Sequence, residues 1–222
     1  PQGTSGSSHH HADMIDPQAD FDLLCEPRDG LVELPDQWQQ GRGLFGGLVV
    51  AAMIRALEQR AEGRPLRSLT AEICGPLQPG VAEVSTETLR VGNGVTTSAA
   101  RIVQEGEVRA HAVGVLGQAR KVTPDRIALG SPQPKPWSEV DILPAGPPLA
   151  PVFTQHVELR PVGPLPFSGA SDAKVEGWVR FKRPGARVGA AWLAGLIDCY
   201  WPALFLIERA PRPMATIAFT FQ

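Results

Sequence analysis

No apolar run in this sequence approaches the roughly 20 residues that a membrane-spanning helix requires, and no charged n-region leads into an apolar h-region near its start. The expectation is a protein neither integral to a membrane nor secreted. A basic excess is missing as well: 21 Lys and Arg stand against 23 Asp and Glu, a formal charge of -2 with a pI of about 6.3. Nucleic acid and anionic membranes therefore lose their usual electrostatic capture surface, and small molecules are the expected partners. Cysteine is scarce: Cys25, Cys74 and Cys199 are an odd number without C-x-x-C spacing. That excludes a disulfide framework and a zinc knuckle and favours a reducing cytoplasm. No metal site and no resident cofactor is expected.

Apolar residues make up 43% of the 222, enough for one large core or two small ones. The Gly/Ser-rich start, with His9, His10 and His11, reads as a disordered tail or tag remnant over residues 1–20, apart from the fold. From Gly46 to Glu62 the apolar side chains Val49, Val50, Met53, Ile54, Leu57 and Ala61 recur at helical spacing, which predicts a buried helix ending at Gly63. Four β-rich runs follow, at 67–74, 81–91, 95–104 and 108–116. Pro79-Gly80, Gly92-Asn93-Gly94 and Glu105-Gly106 separate them, which predicts an antiparallel meander. Residues 21–118 are thus one helix-on-sheet unit, with a fold of the α+β class.

Residues 119–151 are rich in Pro, Ser and Gly and read as an interdomain linker. A second unit is predicted over 152–222, with strands at 152–160 and 174–181, an apolar helix from Gly189 towards Pro202, and a last strand from Met214 to Phe221. Laying Ala51 to Leu57 over Ala194 to Tyr200 matches size and polarity everywhere except where Arg55 meets Asp198. Arg67 to Ile73 likewise overlies Ala215 to Phe221, pairing Ser68 with Thr216. Helix, strand and order agree, so the chain reads as two divergent copies packed as a pseudo-dimer.

Several motifs in order resemble a known family. They are Gly46-Gly47 at the helix start, Arg67-Ser68-Leu69 followed by Pro76-Leu77-Gln78-Pro79-Gly80, Val103 to Gly106, Gly177 to Arg180, and Leu196-Ile197-Asp198-Cys199-Tyr200-Trp201-Pro202. Together they resemble the double hot-dog acyl-CoA thioesterases of the bacterial thioesterase II (TesB-like) group, over roughly Leu31 to Gln222. The resemblance implies a double hot-dog fold, acyl-CoA as substrate, and a hydrolytic water held by an aspartate, a Thr or Ser, and a glutamine. Asp198 and Thr216 match the first two. The glutamine has no match: Gln104 is its counterpart in the first copy, and Gln222 comes too early. The expectation is therefore a second unit incomplete at the C-terminus of this sequence.

Asp198 is the expected catalytic carboxylate, since apolar neighbours raise its pKa unless hydroxyls or amides stabilise the anion. The competing reading is a carboxylate that caps or bridges at the interface. Thr216 is the expected partner, although Thr is also an ordinary strand residue. Gly46 and Gly47, at a helix N-terminus, are candidate substrate-binding positions through their amides, or simply allow close packing. Cys199 lacks a nearby histidine and reads as packing, and His111 and His156 as structural imidazoles. Trp38, Trp178, Trp192 and Trp201 read as core or interface anchors.

The leading expectation is hydrolysis of fatty acyl-CoA to fatty acid and CoA, with a homodimer as the assembly. The alternative is a non-catalytic acyl-CoA or lipid-binding protein on the same fold. A hydratase is disfavoured, because no aspartate and histidine stand at short spacing near a predicted helix. A purely structural role would leave a lone buried carboxylate unexplained.

Overall fold

The computed structural model describes residues 19–121 and 133–222. The His9 to His11 run and part of the Pro-rich segment lie outside the described residues. Asp20 caps a first helical turn, α1 (Phe21–Leu24), its Oδ1 accepting the Leu23 N–H at 3.0 Å. Short strands β1 (Leu31–Leu34), β2 (Gln39–Gln40) and β3 (Gly43–Leu44) carry the chain to α2 (Gly46–Arg60). Every α2 residue from Gly46 to Leu57 is buried, as its charge-poor sequence predicts. Glu62 and Gly63, at φ 50° and 78°, turn the chain left-handed just past the helix and stop it.

Strands β4 (Leu66–Ile73), β5 (Gly80–Val91), β6 (Val95–Gln104) and β7 (Glu107–Gly117) hold α2. Their boundaries lie within a residue of the sequence prediction, but their order differs from the expected meander. The six-stranded sheet runs β1-β5-β6-β7-β4 and ends on a strand from the far end of the chain. Thus β5, β6 and β7 form the meander, and β4 pairs with β7 rather than with β5. The physical reason lies in the crossing segment between β4 and β5. There Leu77 is buried, its carbonyl oxygen accepts the Leu44 N–H at 2.9 Å, and Gln104 holds Gln78 through both main-chain groups, at 2.8 and 3.0 Å. A tight hairpin would leave these contacts unmade.

The second half contributes β8 (Val157–Val162), β9 (Glu176–Phe181), α3 (Ala190–Ile197), α4 (Leu204–Ile207) and β10 (Ala218–Phe221). Residues 152–156, expected as strand, form a 3-10 turn instead. Thr154 donates its hydroxyl to the Pro151 carbonyl at 2.7 Å and fixes the turn locally. Of the Pro-rich segment, residues 133–151 run along this half. Trp178 Nε1 donates to the Lys135 carbonyl, Arg160 Nη1 to those of Trp137 and Val140, and Leu143 bridges to Leu159.

The register of β10 bears directly on the internal repeat. β10 pairs antiparallel with β4, with Ala71 opposite Phe219, Thr70 opposite Thr220 and Glu72 opposite Ala218. The sequence overlay makes Ala71 and Phe219 equivalent, so a residue and its own equivalent face each other across the ladder. That is the signature of a two-fold axis through the pair. The second unit thus joins the first unit's sheet through β10, while β8 and β9 pair in a sheet of their own, and the helices α2 and α3 pack against each other. A Cβ on Gly47 would stand 3.0 Å from the Gly195 carbonyl oxygen, so the absence of side chains at the crossing sets how closely the helices approach.

Candidate active site

The helix predicted to run towards Pro202 stops at Ile197, and Asp198 is its C-cap. The Asp198 N–H keeps the helical bond to the Ala194 carbonyl at 3.4 Å, and the Cys199 N–H folds back to the Leu196 carbonyl at 3.1 Å, a tightened last turn that ends the helix at Asp198. Its carboxylate thereby reaches the N-terminus of α2. A Cβ built on Gly46 would stand 2.8 Å from Asp198 Oδ2, and the Gly47 N–H faces the carboxylate and favours its ionised form. The first N–H groups of a helix have no intrahelical partner, and the macrodipole favours negative charge there.

Thr216 arrives from the opposite side. It lies just before β10, within the stretch from Met214 expected as strand but outside the strand itself, because the ladder with β4 starts only at the Ile217 carbonyl, which accepts the Ile73 N–H at 2.8 Å. Freed from the ladder, Thr216 presents its hydroxyl to Asp198 Oδ1 at 3.5 Å, at the long end of hydrogen-bond range. Asp198, Thr216, Gly46 and Gly47, which the sequence placed far apart, thus converge on one spot.

Burial dominates the electrostatics. It pushes the Asp198 carboxyl from 3.8 up to about 6, while the Gly47 N–H and then the Thr216 hydroxyl pull the other way. Oδ2 is buried and makes no contact that meets hydrogen-bond geometry among the described residues. The facing Gly47 amide therefore acts through its dipole more than through a formed bond. Asp198 has one oxygen engaged and one uncommitted, at a pKa suited to accepting a proton near neutrality.

The neighbouring thiol has no such poise. Burial drives the Cys199 pKa far upward, and its Sγ–H donates to the Gly195 carbonyl at 3.2 Å, so it packs rather than attacks. His111 sits on β7 beside Glu72, and His156 lies flat on Trp38; neither is among the groups around Asp198. Gln104 is occupied with Gln78, as described above. Asp198 lies at the helix seam and lines none of the cavities beside Trp38, Leu143 and Asn93.

At the position equivalent to Asp198, Arg55 is buried and pairs with Asp22 at 2.8 Å. The other Asp22 oxygen accepts the Arg187 N–H in the segment entering α3. A carboxylate on α1, which sequence reading missed because four residues carry too little periodicity, thus closes the equivalent spot. The two ends of the helix pair are chemically different.

Residues 34–117 match the acyl-CoA thioesterase N-terminal domain, and residues 124–222 match the acyl-CoA thioesterase C-terminal domain. The chain belongs to the acyl-CoA thioesterase family. Among solved structures, a conserved protein of unknown function with a hot-dog fold from Alicyclobacillus acidocaldarius superposes with a TM-score of 0.80 at 24% identity, covering 90% of this chain and 76% of that one. An acyl-CoA thioesterase II from Mycobacterium marinum superposes with a TM-score of 0.57 at 16% identity, covering 80% of this chain and 68% of that one. At such identities the likeness establishes the fold alone, which is the double hot-dog. A search of curated proteins gives no match. Among the described residues no helix is long and apolar enough to cross a membrane, and no cluster of His, Cys, Asp or Glu could hold a metal ion.

Proposed function

We propose that this thioesterase-family chain hydrolyses fatty acyl-CoA to the free fatty acid and CoA, with Asp198 as the group that activates water. The observation that carries the reading is the convergence of a carboxylate of raised pKa, a hydroxyl and the α2 N-terminus at one point. Ionised Asp198 takes a proton from water as the water oxygen bonds to the thioester carbonyl carbon. The carbon–sulfur bond then breaks, and the CoA thiolate leaves with its electron pair. Because a thiolate leaves readily, no strong general acid is needed. The amides of Gly46 and Gly47 at the helix start favour the negative charge that develops on the carbonyl oxygen. Leu193, Ile197 and Ile217, exposed apolar side chains on α3 and beside Thr216, offer surface for an acyl chain.

A second reading, acyl-CoA binding without turnover, is favoured by one observation. No glutamine side chain is hydrogen-bonded to Asp198 or Thr216 among the described residues. Release of free thiol from a series of saturated acyl-CoA thioesters separates the two. Multiple turnovers support hydrolysis, and tight binding with no thiol released selects the binding reading.

A further inference from the structure

Two stretches that stand apart in the sequence, Gly177 to Arg180 and Leu196 to Pro202, meet in the fold. Tyr200, two residues past Asp198, donates its hydroxyl to the Trp178 carbonyl on β9 at 3.1 Å, and its ring lies edge-on to Trp201 with centroids 5.1 Å apart. A Cβ on Gly177 would collide with the Tyr200 hydroxyl and stand 2.7 Å from the Arg160 carbonyl oxygen. The ring thus reaches the β8–β9 hairpin because Gly177 has no side chain. Burial pushes the Tyr200 phenol up to about 12, which keeps the hydroxyl a donor throughout the range in which Asp198 titrates.

Asp198 needs such a tie because its other bonds are weak. It caps a helix of eight residues, helix ends fray, and its own N–H meets the Ala194 carbonyl only at 3.4 Å. The carboxylate is as lightly held: the Thr216 hydroxyl stands 3.5 Å from Oδ1, and Oδ2 has no hydrogen bond among the described residues. Where the carboxylate points is therefore set by the main chain that carries it. Of the side chains that follow, Cys199 bonds back within its own helix, to the Gly195 carbonyl, whereas Tyr200 crosses to another element. We infer that Tyr200 is a positioning residue: its hydroxyl, bonded to β9 over Gly177, holds the main chain at Asp198 so that the carboxylate stays at the α2 N-terminus. The inference rests on the acyl-CoA reading of the Asp198 site.

The test compares the parent with Tyr200→Phe, which keeps the ring against Trp201 and removes only the hydroxyl. Thiol release from saturated acyl-CoA thioesters and amide hydrogen exchange of residues 196–201 are measured, with thermal melts to verify folding. The expected result is a kcat lower by about tenfold or more, as misplacement of a reacting group implies, with KM within about twofold of the parent. Exchange in that segment speeds about two- to tenfold, as loss of one hydrogen bond implies. Glu158→Gln breaks the ion pairs to Arg160 and Arg180, both 2.7 Å, and loosens the same hairpin without touching Tyr200; it is expected to keep the parent's kcat. Gly177→Ala crowds the hydroxyl and should cost less kcat beside Tyr200→Phe than in the parent, because both changes release one contact. Turnover by Tyr200→Phe at the parent's kcat overturns the inference, as does a raised KM at constant kcat. An equal loss of kcat in Glu158→Gln, or strictly additive losses for Gly177→Ala and Tyr200→Phe, overturns it too. If Gly177→Ala does not fold, Tyr200→Phe against Glu158→Gln decides. No turnover by the parent refutes the hydrolytic reading alone; faster exchange in Tyr200→Phe then supports its hold on Asp198, and unchanged exchange overturns it.

Discussion

Asp198 Oδ2 lies so close to Gly46 that a single methyl group on the glycine would stand 2.8 Å from it. The contact joins the end of one helix to the start of the other, and with them the two halves of the chain. Gly46→Ala is therefore expected to displace the carboxylate, since that separation is shorter than real Cβ contacts allow. Misplacement of a reacting group by about 1 Å can cost on the order of 10²-fold in rate. The expected result is a fall in kcat with the overall fold retained, measured by thiol release beside circular dichroism.

Thr216 supports the ionised form of Asp198, so Thr216→Val removes a stabilising hydrogen bond and raises the carboxyl pKa further. The acidic limb of the kcat/KM profile, set in the parent by a group at about 6, is expected to move to higher pH. An unchanged limb with lowered kcat would instead give Thr216 a role apart from tuning Asp198.

Stability follows from the same shift. In the folded protein Asp198 titrates at about 6, above its ordinary 3.8, so ionisation opposes folding. Below 3.8 both states hold the proton and no penalty arises. Between 3.8 and about 6 the unfolded chain loses its proton first, and stability falls as pH rises. Asp198→Asn removes this term. The variant is expected to melt higher than the parent above pH 6, with the difference shrinking towards pH 4, in thermal melts across that range.

Gln104 gives the contrasting expectation. Its amide holds both main-chain groups of Gln78 in the crossing segment, and Gln104→Leu removes both bonds, at about 0.5–1.5 kcal/mol each since Gln78 is exposed to water. Denaturant unfolding should show that loss, with kcat for acyl-CoA unchanged. A selective loss of kcat would place Gln104 in the chemistry instead.

These expectations draw on features that were unequally legible in the sequence. Asp198 stood out because the helix overlay put a carboxylate opposite Arg55 in an otherwise apolar match. Its pairing with Thr216 was implied by the family resemblance, while the strand overlay set Thr216 against Ser68, and the Ala71–Phe219 register agrees with that overlay in three dimensions. What periodicity could not show was connectivity. Strand propensity is the same whether β4 pairs with β5 or with β7, and the choice is made by Leu77 and Gln104, whose roles depend on contacts distant in sequence. Asp22 was invisible for a similar reason, because a single turn of helix has no period and its meaning comes from Arg55, 33 positions away. The cavity at Trp38 likewise joins residues from the start of the chain to residues beyond position 150.

The central claim is that Asp198 activates the hydrolytic water. The most direct measurement is kcat for saturated acyl-CoA thioesters with Asp198→Asn against the parent, both verified as folded. Proton transfer by a positioned side chain contributes about 10²–10⁴-fold, so the account predicts a loss of that order across every chain length the parent accepts. Turnover by Asp198→Asn at the parent's rate on any of those thioesters would contradict it.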